Sequence, residues 1–297
     1  MLFRSGLRAN YFQELNKIII EPRIQFNYKL NEKLKFEVLG EMKNQTISQI
    51  IDLQKDFLGV EKRRWVLAND SIIPIQKSIQ ASIGLNYKTK KWLINFENFY
   101  KRISGITTNS QGFQNQFEFI KSIGNYTVLG SELLVQKSFK KFYTWISYSI
   151  NNNTYDYPEL SPKEFPNNFD ITHTINWAGI YEWKNFKIAL GTNWHTGRPY
   201  TTPVSNTVSS SNSTITYNSP NNKRLKDFFQ SNISASKKWK LNDKIELETA
   251  LSVINVFNIK NIINRYYKVD TSNNTIQSID TYSLETTPNF KLKLNFK

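Results

Sequence analysis

From Ser78 to Tyr87 polar and apolar side chains alternate without interruption. Ile79, Ala81, Ile83, Leu85 and Tyr87 fall on one face, and Ser78, Gln80, Ser82, Gly84 and Asn86 on the other. Strict alternation predicts an extended strand with one dry side and one wet side. The pattern recurs along the chain in stretches of about ten residues, the length a tilted strand needs to cross a bilayer.

Phe3 to Phe12 is read as a first strand, and Arg23 to Leu30 sets Ile24, Phe26, Tyr28 and Leu30 against Arg23, Gln25, Asn27 and Lys29. The turn Asn31-Glu32-Lys33 leads into Leu34, Phe36, Val38 and Met42, after which the pattern dissolves until about Lys77. A short turn followed by a long loop is then the rule. Lys88 to Lys91 turns into Trp92, Ile94, Phe96 and Tyr100 before an irregular stretch near 104–122; Lys140-Lys141 turns into Phe142, Ile146, Tyr148 and Ile150 before a loop near 152–169. Lys184-Asn185 and Asn242-Asp243 repeat the arrangement, with loops near 196–225 and up to about 284, and the final strand is expected over Asn289 to Lys297. About twelve strands result. An antiparallel sheet with short turns at one end and long loops at the other is the mark of outer-membrane β-barrels.

Aromatic residues give an independent check. Trp92 and Tyr100 are eight positions apart on the apolar register, as are Phe186 and Trp194. Eight residues rising about 3.3 Å each with a tilt of about 40° span roughly 20 Å, close to the apolar band between two aromatic girdles. Trp183 and Trp239 also flank short turns. These six rings are the expected girdle; in a sandwich core, the competing interpretation, they would belong mid-strand.

Composition narrows the choice. The 297 residues contain no cysteine, which excludes disulfides and thiolate metal sites, and no apolar run approaches the ~18 residues of a membrane-spanning helix. A mean hydropathy of −0.51 suits a barrel whose strands average a lipid face with a wet lumen. The net charge of +15 is carried by lysines and arginines spread over strands and turns, which speaks against nucleic acid and leaves lipid phosphates as one destination. The start, Met1 to Arg8, has arginines where a secretory leader keeps an apolar core.

Catalytic chemistry has little to work with. His173 and His195 are the two histidines, both expected near the long-loop rim; no Gly-rich phosphate loop, phospholipase motif or close histidine pair is present, and no cofactor is called for. Glu37, Glu41, Glu246 and Glu248 are read as part of a mixed-charge lumen rather than as acid–base pairs. Trp194, His195, Arg198 and Tyr200, with His173, combine rings, a cation and candidate ligand atoms suited to a metal chelate or a glycan. The plainer alternative has Trp194 anchoring the girdle and Gly197 to Pro199 shaping a turn.

The last strand, with Phe290, Leu292, Leu294 and Phe296 on one face, looks like the closing strand by which barrel-assembly machinery recognises its clients, although Lys297 follows the terminal aromatic. Gly6 to Phe12, Glu21 to Arg23, Tyr100 to Ile106, Phe165 to His173, Asn193 to Pro199 and Ile254 to Asn258 resemble, in order, stretches of the C-terminal half of TonB-dependent outer-membrane receptors. The resemblance implies that residues 1–297 are the C-terminal part of a 22-strand barrel, with the plug domain, leader and about ten strands outside this sequence. It implies uptake of a siderophore, metal chelate or glycan rather than catalysis, in a Gram-negative outer membrane among lipid and lipopolysaccharide, with the TonB complex acting through the plug. A complete twelve-strand passive pore or autotransporter-type barrel and a soluble all-β adhesin or carbohydrate-binding protein remain the alternatives.

Overall fold

The computed structural model describes residues 1–52, 62–69, 72–118, 120–208 and 214–296. Twelve long strands follow one another in space in the order of the chain: β1 (Leu2–Phe12), β2 (Lys17–Lys29), β3 (Leu34–Gln45), β4 (Gln76–Lys88), β5 (Trp92–Thr107), β6 (Ile123–Ser138), β7 (Phe142–Asp156), β8 (His173–Trp183), β9 (Phe186–His195), β10 (Phe228–Lys240), β11 (Ile245–Ile254) and β12 (Thr287–Phe296). Every neighbouring pair is antiparallel, and the three-residue strand Glu164–Pro166 joins the sheet off this path by pairing with β7. No helix among the described residues is long and apolar enough to cross a membrane.

Register assigns the faces. Because directly paired residues lie on the same side of an antiparallel sheet, the chain of partners Phe26, Val38, Ile83 and Asn98, and the parallel chain Phe36, Leu85, Phe96, Leu133, Tyr148, Ile175 and Trp194, trace one surface. That surface is apolar and exposed: Leu7, Ile83, Leu129, Leu251 and Leu292 are each more than half accessible. A water-soluble sheet does not leave so large an apolar area uncovered. The opposite face is largely polar, with Gln80, Ser82, Asn86, Glu97, Ser147, Asn176, Asn193 and Asn232 on successive strands. Glu37 and Glu41 meet Lys35, Arg23 and Lys43, and Glu246 and Glu248 meet Lys238 and Lys291, so the four acids stand among cations on this face.

Three boundaries differ from expectation. β2 begins at Lys17, because the uninterrupted run Ile18-Ile19-Ile20 hides its alternation until pairing with β1 shows Ile18 and Ile20 facing outward opposite Tyr11 and Ala9. Pairing of β2 with β3 stops at Arg23, next to Pro22, which has no N–H to donate. Two stretches expected as loops contain hairpins, Ile47–Asp52 with Lys62–Leu67 and Ile262–Asp270 with Thr275–Tyr282. Residues 53–61, 70–71, 119, 209–213 and 297 lie outside the described residues.

The ends of the sheet are unequal. Connections at 30–33, 89–91, 139–141, 184–185 and 241–244 form one rim, and 46–75, 108–122, 157–172, 196–227 and 255–286 the other. The short link between β1 and β2, a single 3₁₀ turn at Gln13–Leu15, is the exception on the long-loop side. Folding also gathers cations that look evenly spread in sequence, since half of the 30 lysines lie in the short turns and the residues flanking them. β1 and β12 each have one partner among the described residues, so each keeps one open edge.

Candidate functional site

The long-loop rim is packed. In the connection after β5, the Thr107 N–H donates to the Ser110 hydroxyl (3.2 Å), which donates back to the Thr107 carbonyl (2.8 Å) at the start of the turn Thr108–Gln111, and Gly112 ends it in the left-handed conformation a Cβ would resist. The turn delivers Phe113 into a cluster with Ile103, Ile106, Phe117, Tyr155, Tyr157, Leu160 and Phe165. Phe113 meets Tyr155 edge-on at 5.4 Å and Tyr157 at 5.9 Å, and Phe117 lies 5.6 Å from Phe165. Each such ring pair adds roughly 0.5–1.5 kcal/mol beyond the area it buries. Burial pushes the Tyr157 phenol far up, keeping it neutral.

Polar contacts tie the remaining loops to this cluster. Tyr155 donates to Gln111 (2.9 Å), Asn115 to Thr201 (3.3 Å) and Gln116 to the Asn218 carbonyl (3.1 Å). Asn221 donates to the Pro166 carbonyl (2.7 Å) and to Asn168 (2.9 Å), while Arg224 pairs with buried Asp170 and reaches the Gly197 carbonyl at 3.2 Å. Loops 108–122, 157–172 and 196–227 therefore form one cap.

The structure divides the residues singled out from sequence. Trp194 and His173 lie on the outward apolar face, Trp194 paired with Ile175 and His173 with Ile150; the His173 ring stacks on Tyr148, whose hydroxyl is 2.9 Å from Nδ1. His195 points to the opposite face, stacked on Phe228 at 4.8 Å, with Nδ1 2.8 Å from the Thr196 carbonyl. A carbonyl only accepts, so Nδ1 is the donor in this contact and Nε2 is the ring nitrogen turned away from it. The two histidines thus share a rim but not a face, because His195 pairs with Thr174 and falls out of step with His173. All six expected girdle rings, Trp92, Tyr100, Trp183, Phe186, Trp194 and Trp239, face outward. Phe290, Leu292, Leu294 and Phe296 do too, from 48 to 76% exposed.

Arg198 and Tyr200 enter the cap. The Arg198 guanidinium lies over the Phe169 ring at 4.3 Å and donates to the carbonyls of Asn168 (3.4 Å) and Ile263 (3.3 Å). Its desolvation lowers its affinity for the proton, although an arginine stays charged. Tyr200 accepts from Arg265 at 3.4 Å, and Arg265 grips Asp280 through two hydrogen bonds of 2.5 and 2.7 Å. Phe169, Arg265 and Asp280 were not singled out from sequence. The alternation of Arg265 and Asp280 in two short hairpin strands was the available signal, but their register is a tertiary fact. Cation, ring and imidazole on one rim suit an anionic or aromatic ligand.

The Arg265–Asp280 pair has a pH signature. Hydrogen bonds from the guanidinium hold the Asp280 carboxyl below the usual carboxylate range. A carboxyl depressed on folding stabilises above its unfolded value of about 3.9, and the contribution disappears as pH falls through the lower folded value. The protection of the amides in Ile262–Asp270 and Thr275–Tyr282, measured as exchange relative to the intrinsic rate at each pH, is expected to fall below about pH 4. In Asp280→Asn that fall is expected to be absent, with lower protection already at neutral pH.

No family model and no curated protein matches the chain. Solved structures do. The ferric citrate transporter FecA in its unliganded form superposes with a TM-score of 0.62 at 12% identity over 94% of this chain and 38% of that one. The ferripyoverdine receptor of the outer membrane of Pseudomonas aeruginosa gives 0.60 at 12% identity over 95% and 34%, and the ferric yersiniabactin uptake receptor FyuA from Yersinia pestis 0.59 at 10% over 95% and 38%. The chain spans little more than a third of the length of these three structures. The fold of this chain is that of part of a TonB-dependent receptor barrel.

Proposed function

We propose that this chain is the C-terminal part of the barrel of an outer-membrane receptor that takes up a metal chelate, with energy delivered by the TonB complex through a plug domain outside this sequence. One observation carries the proposal: an apolar outward face and a polar inner face run through all twelve strands, and the packed loops stand on a single rim. A sheet with a lipid face must be closed by pairing, since unsatisfied N–H and C=O groups cost several kcal/mol each in hydrocarbon. The open edges of β1 and β12 are where further strands join, which favours a larger barrel over a twelve-strand pore. Outer-membrane lipid and lipopolysaccharide then surround the apolar belt, and β12 is the strand offered to the assembly machinery.

The cap favours a chelate over a neutral sugar because Arg198 supplies a partly desolvated cation on an aromatic ring. In cells carrying the complete receptor, uptake of radiolabelled ferric catecholate or ferric citrate is expected to require TonB. Arg198→Ala is expected to weaken binding of the transported complex about tenfold, the loss of one charge-assisted contact. Trp194→Ala, which alters the outward face, is expected to leave that affinity unchanged. TonB-independent entry, or preferential binding of oligosaccharides, contradicts the proposal.

A further inference from the structure

Charge is distributed unequally between the two rims. The five short turns with their flanking residues, 29–35, 88–92, 137–142, 182–187 and 237–246, hold 15 lysines and 4 acidic residues, a net of +11 out of +15 for the whole chain. The long-loop rim, taken as 13–16, 46–75, 108–122, 157–172, 196–227 and 255–286, has no net charge. Lys88, Lys90, Lys91, Lys140 and Lys141 are exposed and make no ion pair among the described residues.

Three of the lysines have a distinctive setting. The ammonium of Lys137 sits 3.9 Å from the centre of the Trp92 ring, that of Lys237 3.8 Å from Trp239, and that of Lys184 5.4 Å from Trp183. Lys137 and Lys237 also lie on the outward register, paired with Trp92 and Phe186. A tryptophan whose ring is half in hydrocarbon and whose face carries a cation belongs at the headgroup level of a bilayer. Lumen lysines could serve a soluble ligand; outward lysines above an apolar belt cannot reach one without leaving lipid.

We infer that the short-turn rim is a docking surface for anionic phospholipid, its lysines binding headgroup phosphates of the leaflet on that side and fixing the depth and orientation of the barrel. The inference rests on the lipid-facing reading of the outward surface. It assigns +11 of the chain's net charge of +15 to one leaflet.

The test places the complete receptor in phosphatidylcholine vesicles containing a trace of spin-labelled phosphatidylglycerol or spin-labelled phosphatidylcholine, and electron paramagnetic resonance reads the motionally restricted fraction. Wild type is expected to prefer phosphatidylglycerol. The triple variant Lys137→Gln, Lys184→Gln, Lys237→Gln is expected to lose roughly fivefold of that preference, less than the full weight of three juxtamembrane cations because neighbouring lysines remain. The corresponding arginine triple is expected to keep it, which controls for folding. Equal restriction of both lipids in wild type, or a glutamine triple that matches wild type, overturns the inference. Capture of an acidic peptide by the same lysines without a lipid preference also overturns it and reassigns the rim to a protein partner. A receptor that enters neither vesicle overturns the membrane reading itself, an outcome distinct from entry without selectivity.

Discussion

Ile83→Arg destabilises the receptor in a bilayer by about 2–4 kcal/mol, the cost of a cation at the middle of a lipid-facing strand, whereas Ser82→Arg one residue away is close to neutral. Ile83 stands in the middle of β4, 53% exposed, between Val38 and Asn98 on the outward register. Ser82 faces the polar side beside Leu39 and Phe99. Alternation makes adjacent residues sample opposite solvents, so the pair is a direct assay of which face meets hydrocarbon. Urea unfolding in vesicles measures both variants. Equal penalties indicate a sheet packed on both sides by protein, and a larger penalty for Ser82→Arg reverses the assignment of faces.

Gly197→Ala is expected to release the cap. A Cβ at Gly197 would stand 1.7 Å from the Leu225 carbonyl oxygen, so two backbone segments must part by more than an ångström. That approach is held by the Leu225 N–H on the Arg198 carbonyl (2.9 Å), by Asp227 accepting from the Gly197 N–H (3.2 Å) and by Arg224 on the Gly197 carbonyl. Separating them costs about 3 kcal/mol and moves Arg198, the next residue, off Phe169. Loss of ligand binding with new protease sensitivity in 196–227, while the barrel strands keep their protection, is the expected result. Unchanged binding shows that the cap is held elsewhere.

The same segment shows how far sequence carries. Gly197, Arg198 and Pro199 stand out in sequence as a turn beside a candidate ligand group; in the structure residues 196–198 link β9 to the two-residue strand Pro199–Tyr200, which pairs with Lys223–Arg224. The need for glycine comes instead from Leu225, 28 positions away, and no local pattern reports it. The Arg198 partners Phe169 and Ile263 belong to two other loops. His173 and His195 look equivalent when placed by strand ends alone, yet register puts them on opposite faces.

Alternation determined the strands, their number, their apolar face and the inequality of the two rims, because a period of two residues is imposed by the backbone and each strand carries it locally. The tertiary structure decided what depends on register and on contacts between distant loops: the aromatic cluster around Phe113, the gathering of scattered lysines at one rim, and the composition of the site. These depend on where strand ends converge in space, and each connection is free to fold back on any other before the sheet forms, so the information is stored between segments and not within them.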